Sequence, residues 1–226
     1  MAAFNLAVEK GFGIEMDVQL SRDGVLFVFH DYDLQRLCGR AEGIADLDSA
    51  DLYKLRLADS AEGIPTLDAV LEMVNGKVPL LIEVKNKMKP GVLEEKILER
   101  MRDYKGTFAL LSFCPSTLRW FRKNAPEYLR VQLSRDFSAF PLSRLKKIVF
   151  SYMLLNFLVK PDFVGYEINS LPNARVNWLR RRGMRIIAWT VKNETHFTNS
   201  TQLVDNIIFE ALPPEKASTY RSKSIG

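Results

Sequence analysis

Five side chains in this sequence have types and spacings that could do chemistry together. Glu15 and Asp17 stand two residues apart in "GIEMDVQL", and His30, one of two histidines, follows 13 residues after Asp17. Glu83 and Lys85 repeat the two-residue spacing at the end of "VPLLIEVKN". Residues two apart on a strand share a side, so each pair presents its charges to one face. Three carboxylates gathered at one place suit a hard divalent cation bound through oxygen, Mg²⁺ or Ca²⁺. A zinc site fits less well, because His30 is the one nitrogen or sulfur ligand near them in sequence. Lys85 places a positive charge where a phosphate oxygen could rest, and His30 can give or take a proton near neutral pH.

Each piece alone has an ordinary explanation. An alternating charged strand is usually a solvated face, and a histidine followed by an aspartate is more often structural than catalytic. The combination changes the balance because "LLIEVK" otherwise reads as a buried strand. Ionised groups are costly there unless they are paired or bound to metal.

The elements that must position these residues are legible in the hydrophobic pattern. "AAFNLAVEKG" reads as a helix with Phe4, Ala7 and Val8 on one face and Gly11 as its stop. "GIEMDVQL" and "VLFVFH" are strands, and the Asp23-Gly24 turn between them is too short for a parallel crossover. They must be antiparallel neighbours, which folds His30 back toward the strand carrying Glu15 and Asp17. Residues 31–63 are more polar, with short helical stretches such as "DSADLYKL". Thr66 caps a helix at "LDAVLEMV", and strand and helix then alternate to the end of the chain.

Leaving out the return arm of the hairpin, strands are expected near 14–20, 79–85, 108–113, 129–134, 162–168, 185–191 and 206–211. Strict alternation of this kind predicts an α/β fold, a (β/α)₈ TIM-type barrel with about seven of its eight strands in this chain and the first one missing. Catalytic groups of such barrels gather at the C-terminal ends of the strands. The chain reads as one domain over 1–226, with a small insertion at 31–63 and a polar, frayed tail at 214–226. "LSRLKKIVFSYMLLNFL" reads as one helix packed in the core, and His196 as a loop residue.

Composition narrows the function classes. A 226-residue chain that is 47% hydrophobic can bury a full core. The longest apolar run, "SYMLLNFLV", is about half the ~18 residues of a membrane span. A net charge of +5 favours anionic small molecules without identifying nucleic acid. The basic clusters "RLKK" and "RRRGMR" lack interleaved aromatics and read as solvated helix faces. Cys38 and Cys114 lie far apart in no metal-binding context, which suits thiols in a reducing compartment. Without a cleavable leader in "MAAFNLAVEKG", the expected location is cytoplasmic.

The Glu-x-Asp, Asp-Gly and His-Asp run, followed by "IPTLDAVL", "LLIEVK", "LSFCPSTLRWFRKNAP", "AWTVKN" and "DNIIFEALP", resembles the glycerophosphodiester phosphodiesterase family almost end to end. That resemblance implies metal ligands at Glu15, Asp17 and Glu83, and a phosphate-contacting lysine at Lys85. It also implies one of two catalytic histidines at His30. Residues 31–63 would cap the mouth, and Trp189 would line the pocket, with core packing equally open for it. The implied reaction is metal-dependent hydrolysis of a glycerophosphodiester to an alcohol and glycerol 3-phosphate.

The family's pattern opens with a strand ending in His-Arg-Gly, which carries the other catalytic histidine, and Met1 falls after it. This makes the activity of the chain as given doubtful. Three readings are open: Met1 is an internal methionine with the true start upstream, the copy is a remnant, or a homo-oligomer fills the gap. The first is favoured, because the rest shows no decay. Two other functions stay open beside the leading one, a non-catalytic relative that binds phosphodiesters or a partner protein, and a phosphodiesterase of lysophospholipids.

Overall fold

The structure is a computed structural model that describes residues 1–86 and 89–223. It falls into two compact units, Met1–Leu111 with Lys123–Tyr128, and Ser112–Arg122 with Leu129 onward. The first unit runs α1 (Ala2–Lys10), β1 (Ile14–Leu20), β2 (Leu26–Val28), α2 (Gln35–Cys38), α3 (Ser49–Leu52), α4 (Leu67–Val74), β3 (Leu80–Val84), α5 (Val92–Met101) and β4 (Phe108–Ser112). The second runs α6 (Pro115–Asn124), β5 (Leu129–Ser134), α7 (Arg144–Ser151), α8 (Asn156–Val159), β6 (Phe163–Glu167), α9 (Ala174–Arg181), β7 (Arg185–Val191), α10 (Glu194–Leu203), β8 (Asn206–Phe209) and α11 (Pro214–Lys223). The expected α/β class and all seven barrel-type strands are present, each within two residues of its predicted ends.

In the first unit β1 pairs antiparallel with β2 and parallel with β3, and β3 pairs parallel with β4. The Asp-Gly hairpin forms as expected, with Gly24 at φ +89°, a conformation glycine adopts without a Cβ clash. Ile14, Met16 and Val18 of β1 and Leu80, Ile82 and Val84 of β3 are buried on one face. The acidic residues therefore take the other. Thr66 caps α4 by accepting from the Ala69 N–H at 3.2 Å, and Val70, Leu71 and Val74 are buried from that helix.

Residues 31–63 carry a small core of their own over the hairpin. Leu34, Ile44, Leu47 and Leu52 pack with Phe27 and Phe29. Asp23 anchors the segment by accepting from the Ser49 N–H and Oγ. Arg22 clasps Asp48 through two guanidinium nitrogens.

In the second unit β5, β6, β7 and β8 pair in parallel in that order. Three expectations change here. The predicted single helix over 142–158 is two, because Met153 turns to φ +50° and buries its side chain in the core. The tail does not fray over the part described: α11 spans Pro214–Lys223, with Ala217 and Tyr220 buried, while residues 224–226 lie outside the described residues. His196 sits in the first turn of α10, not in a loop. Asn193 caps that helix by accepting from the His196 N–H. This helix is polar nearly all round and buries only Phe197 and Ser200, so its period is faint in the sequence.

Cys38 and Cys114 are free thiols. Among the described residues no helix is long and apolar enough to cross a membrane.

Candidate metal and phosphate site

The register of the first sheet assembles the carboxylates. Asp17 of β1 lies directly opposite Glu83 of β3, and Glu15 opposite Leu81. Alternation then brings Glu15, Asp17 and Glu83 to one face. One oxygen from each lies within 4.8 Å of the others, the spacing of ligands around one cation. Lys85, just beyond the end of β3, reaches back with Nζ 3.1 Å from Asp17 Oδ1, its side chain only 7% exposed.

The electrostatics are those of a cluster with more negative than positive charge. Burial pushes the Glu15 carboxyl up to about 8, and the charges of Asp17 and Glu83 add to it. Glu83 is likewise pushed up to about 8, by burial first and then by Asp17. Asp17 rises through burial, opposed by Lys85 and His30. Burial works against the Lys85 ammonium, but Asp17 and Glu83 outweigh it and hold its pKa above the usual lysine value. One lysine does not balance three carboxylates, and an oxygen-seeking divalent cation would. The donor set is all oxygen, which fits Mg²⁺ or Ca²⁺ and not a thiolate or imidazole site.

The loop that carries His30 is pinned to the cluster by its backbone. The Phe29 N–H donates to the Asp17 carbonyl at 2.9 Å. Lys85 Nζ donates to the His30 carbonyl at 2.6 Å. Gln19 Nε2 donates to the carbonyls on either side, Phe29 at 2.7 Å and Asp31 at 2.8 Å. The imidazole itself is 72% exposed, with Nδ1 2.7 Å from Asp31 Oδ1. Arg36 holds that carboxylate at 2.7 Å through Nε and, as the largest cause, keeps its pKa below the usual carboxylate range. With the proton of a neutral ring on Nδ1 facing Asp31, Nε2 is the free base.

Of the residues expected from the sequence, the structure brings Glu15, Asp17, Glu83 and Lys85 together in the first unit and ties the His30 backbone to them through Lys85. It adds Gln19 and Asp31, which sequence reasoning missed. A signal for Gln19 was available, since positions 15, 17 and 19 share one side of β1 and a polar residue continues the row. Trp189 belongs to the second unit. Its ring stands edge-on to Phe113 at 5.4 Å and lies 5.7 Å from the Arg135 guanidinium. Its buried Nε1 has no hydrogen-bond partner among the described residues. Arg135 is itself paired with Glu167.

A family model described as the glycerophosphoryl diester phosphodiesterase family matches residues 1–212. Among curated proteins, the chain is 29% identical over 221 residues to a glycerophosphodiester phosphodiesterase of Caldanaerobacter subterraneus subsp. tengcongensis, covering 92% of this chain and 86% of that one. It is 34% identical over 161 residues to a glycerophosphodiester phosphodiesterase of Bacillus altitudinis, covering 66% and 65%. Among solved structures, an Oleispira antarctica phosphodiesterase in complex with its product sn-glycerol-3-phosphate superposes with a TM-score of 0.79 at 21% identity, over 98% of this chain and 90% of that one. At that identity the likeness speaks for the fold.

Proposed function

The chain belongs to the glycerophosphoryl diester phosphodiesterase family, and from that premise we propose how its site works. The protein is a phosphoric diester hydrolase that cleaves a glycerophosphodiester to an alcohol and glycerol 3-phosphate. Glu15, Asp17 and Glu83 would hold a divalent cation, Mg²⁺ or Ca²⁺, and the observation that carries this is their convergence within 4.8 Å beside Lys85. When bound, the cation neutralises phosphate charge as a Lewis acid. Lys85 supplies a fixed ammonium for a phosphate oxygen and, by donating to the His30 carbonyl, keeps the histidine's loop beside it. His30 Nε2 moves a proton to or from a reacting hydroxyl, and Asp31 steadies the ring and any positive charge it gains.

Release of glycerol 3-phosphate from glycerophosphocholine tests this reading. Turnover should require added Mg²⁺ or Ca²⁺, cease with a chelator and vanish in Glu15→Ala. Tight phosphodiester binding without cation-dependent turnover would favour a binding protein instead. Faster cleavage of lysophosphatidylcholine than of glycerophosphocholine would move the substrate class to lysophospholipids.

A further inference from the structure

Helix α7 carries two large apolar side chains, Leu145 and Ile148, on the outside. None of its eight residues is fully buried. Leu145 and Ile148, with Tyr152 just past its end, fall at i, i+3 and i+7, a single stripe, and are 71%, 51% and 48% exposed. Leu154 in the turn that follows and Phe157 of α8 are also large, apolar and exposed, at 44% and 69%. The opposite side of the helix is firmly seated. Ser134 Oγ donates to the Phe150 carbonyl at 2.8 Å, and the Phe137 N–H donates to Ser151 Oγ at 3.0 Å. The stripe is thus presented outward by an anchored element, where soluble chains seldom leave several large apolar side chains together.

Charge identifies what would cover it. From Phe137 to Pro161 there is no acidic residue, while Arg144, Lys146, Lys147 and Lys160 are all basic. Arg175 adds another cation at the stripe, donating from Nε to the Tyr152 carbonyl at 3.0 Å and stacking 4.2 Å from the half-exposed Trp178 ring. A two-fold contact with a second copy would set these cations against their own kind. An apolar stripe flanked by arginine and lysine, with an aromatic at its edge, instead matches an interface that is anionic at its surface and apolar beneath.

We propose that the α7–α8 face of the second unit is a docking surface for anionic lipid bilayers. Leu145, Ile148 and Phe157 enter the acyl boundary, and Arg144, Lys146 and Lys160 meet the headgroups. Docking of this kind is independent of whether the carboxylate cluster turns over substrate.

Co-sedimentation of the full chain with vesicles tests it. Phosphatidylcholine vesicles are compared with vesicles in which about a third of the lipid is phosphatidylglycerol, giving the negative surface on which basic residues act. Binding is expected to the anionic vesicles and not to the neutral ones, and about 0.5 M salt should release it by screening. Arg144→Gln together with Lys146→Gln should weaken it roughly twentyfold or more, each charge near the surface being worth about fivefold. Phe157→Asp should weaken it at least about tenfold, with an unchanged melting temperature because the side chain is exposed. Three results would overturn the proposal: no pelleting with either vesicle, equal binding to both, or binding unchanged in both variants. A concentration-dependent dimer that Phe157→Asp dissociates would also overturn it, and would give the face to a second copy.

Discussion

Lys85 Nζ donates to the backbone carbonyl of His30 at 2.6 Å, joining residues 55 positions apart. The same nitrogen lies 3.1 Å from Asp17 Oδ1. One ammonium thus ties the proton-carrying loop to the carboxylate cluster, so geometry and charge at the site depend on each other.

Lys85→Met removes the cation that, among the described residues, pairs with the three-carboxylate cluster. Breaking a buried pair from one side costs about 3 kcal/mol, and the denaturation midpoint of the metal-free chain should fall accordingly. Added Mg²⁺ or Ca²⁺ should restore most of that loss, since a cation at Glu15, Asp17 and Glu83 replaces the missing charge. Loss that no cation relieves would place the role of Lys85 in packing alone.

Stability of the metal-free chain should depend on pH through Glu15 and Glu83. Both stand at about 8 in the folded chain, against a usual 4.5. Raised folded pKa values mean that their contribution is fully present below about 4.5 and is lost as pH rises toward 8. Thermal melts in chelator across that window should show a falling midpoint, and a saturating divalent cation should flatten the curve. Glu15→Gln with Glu83→Gln should flatten it without cation.

Gln19→Leu deletes both donors that flank His30 and leaves the Phe29 and Asp31 carbonyls without them. A stability loss of about 1–2 kcal/mol is expected. The kinetic effect should fall on kcat more than on KM, because the cation ligands stay in place while the histidine loop loosens. Calorimetric titration with Ca²⁺, unchanged in this variant, separates the two effects.

His30→Ala should lower kcat by about 10²-fold or more, the usual range for a general acid or base. Asp31→Asn should cost less and shift the pH–rate profile, since the ring loses the carboxylate that sets its tautomer. A profile identical to that of the parent would remove Asp31 from the site.

Tyr220→Phe tests the packing of α11. The hydroxyl lies 3.1 Å from the carbonyls of both Ser200 and Val204 and is buried. Losing that shared donor should cost about 1 kcal/mol, read as a lower melting temperature. Cation binding at the first unit's carboxylates should be unaffected.

What the sequence determined by itself was everything that rests on local period. Two-residue alternation put Glu15 beside Asp17 and Glu83 beside Lys85, and the Asp23-Gly24 turn required the hairpin that returns His30. Seven strands and most helices followed from the same patterns. The tertiary structure alone decided the rest, because it depends on register and on which neighbour a side chain meets. The pairing of Asp17 opposite Glu83 merges two charged pairs into one cluster. Gln19 acquires its role only once the hairpin sets the Phe29 and Asp31 carbonyls against its amide. α10 was missed because its buried face is two residues wide, and α11 because Tyr220 finds its acceptors 16 and 20 residues away. The apolar residues of α7 read as core because hydrophobicity reports a preference for burial and says nothing about its location. Only the packing of Phe150 and Ser151 against β5 and the loop after it leaves Leu145 and Ile148 facing outward.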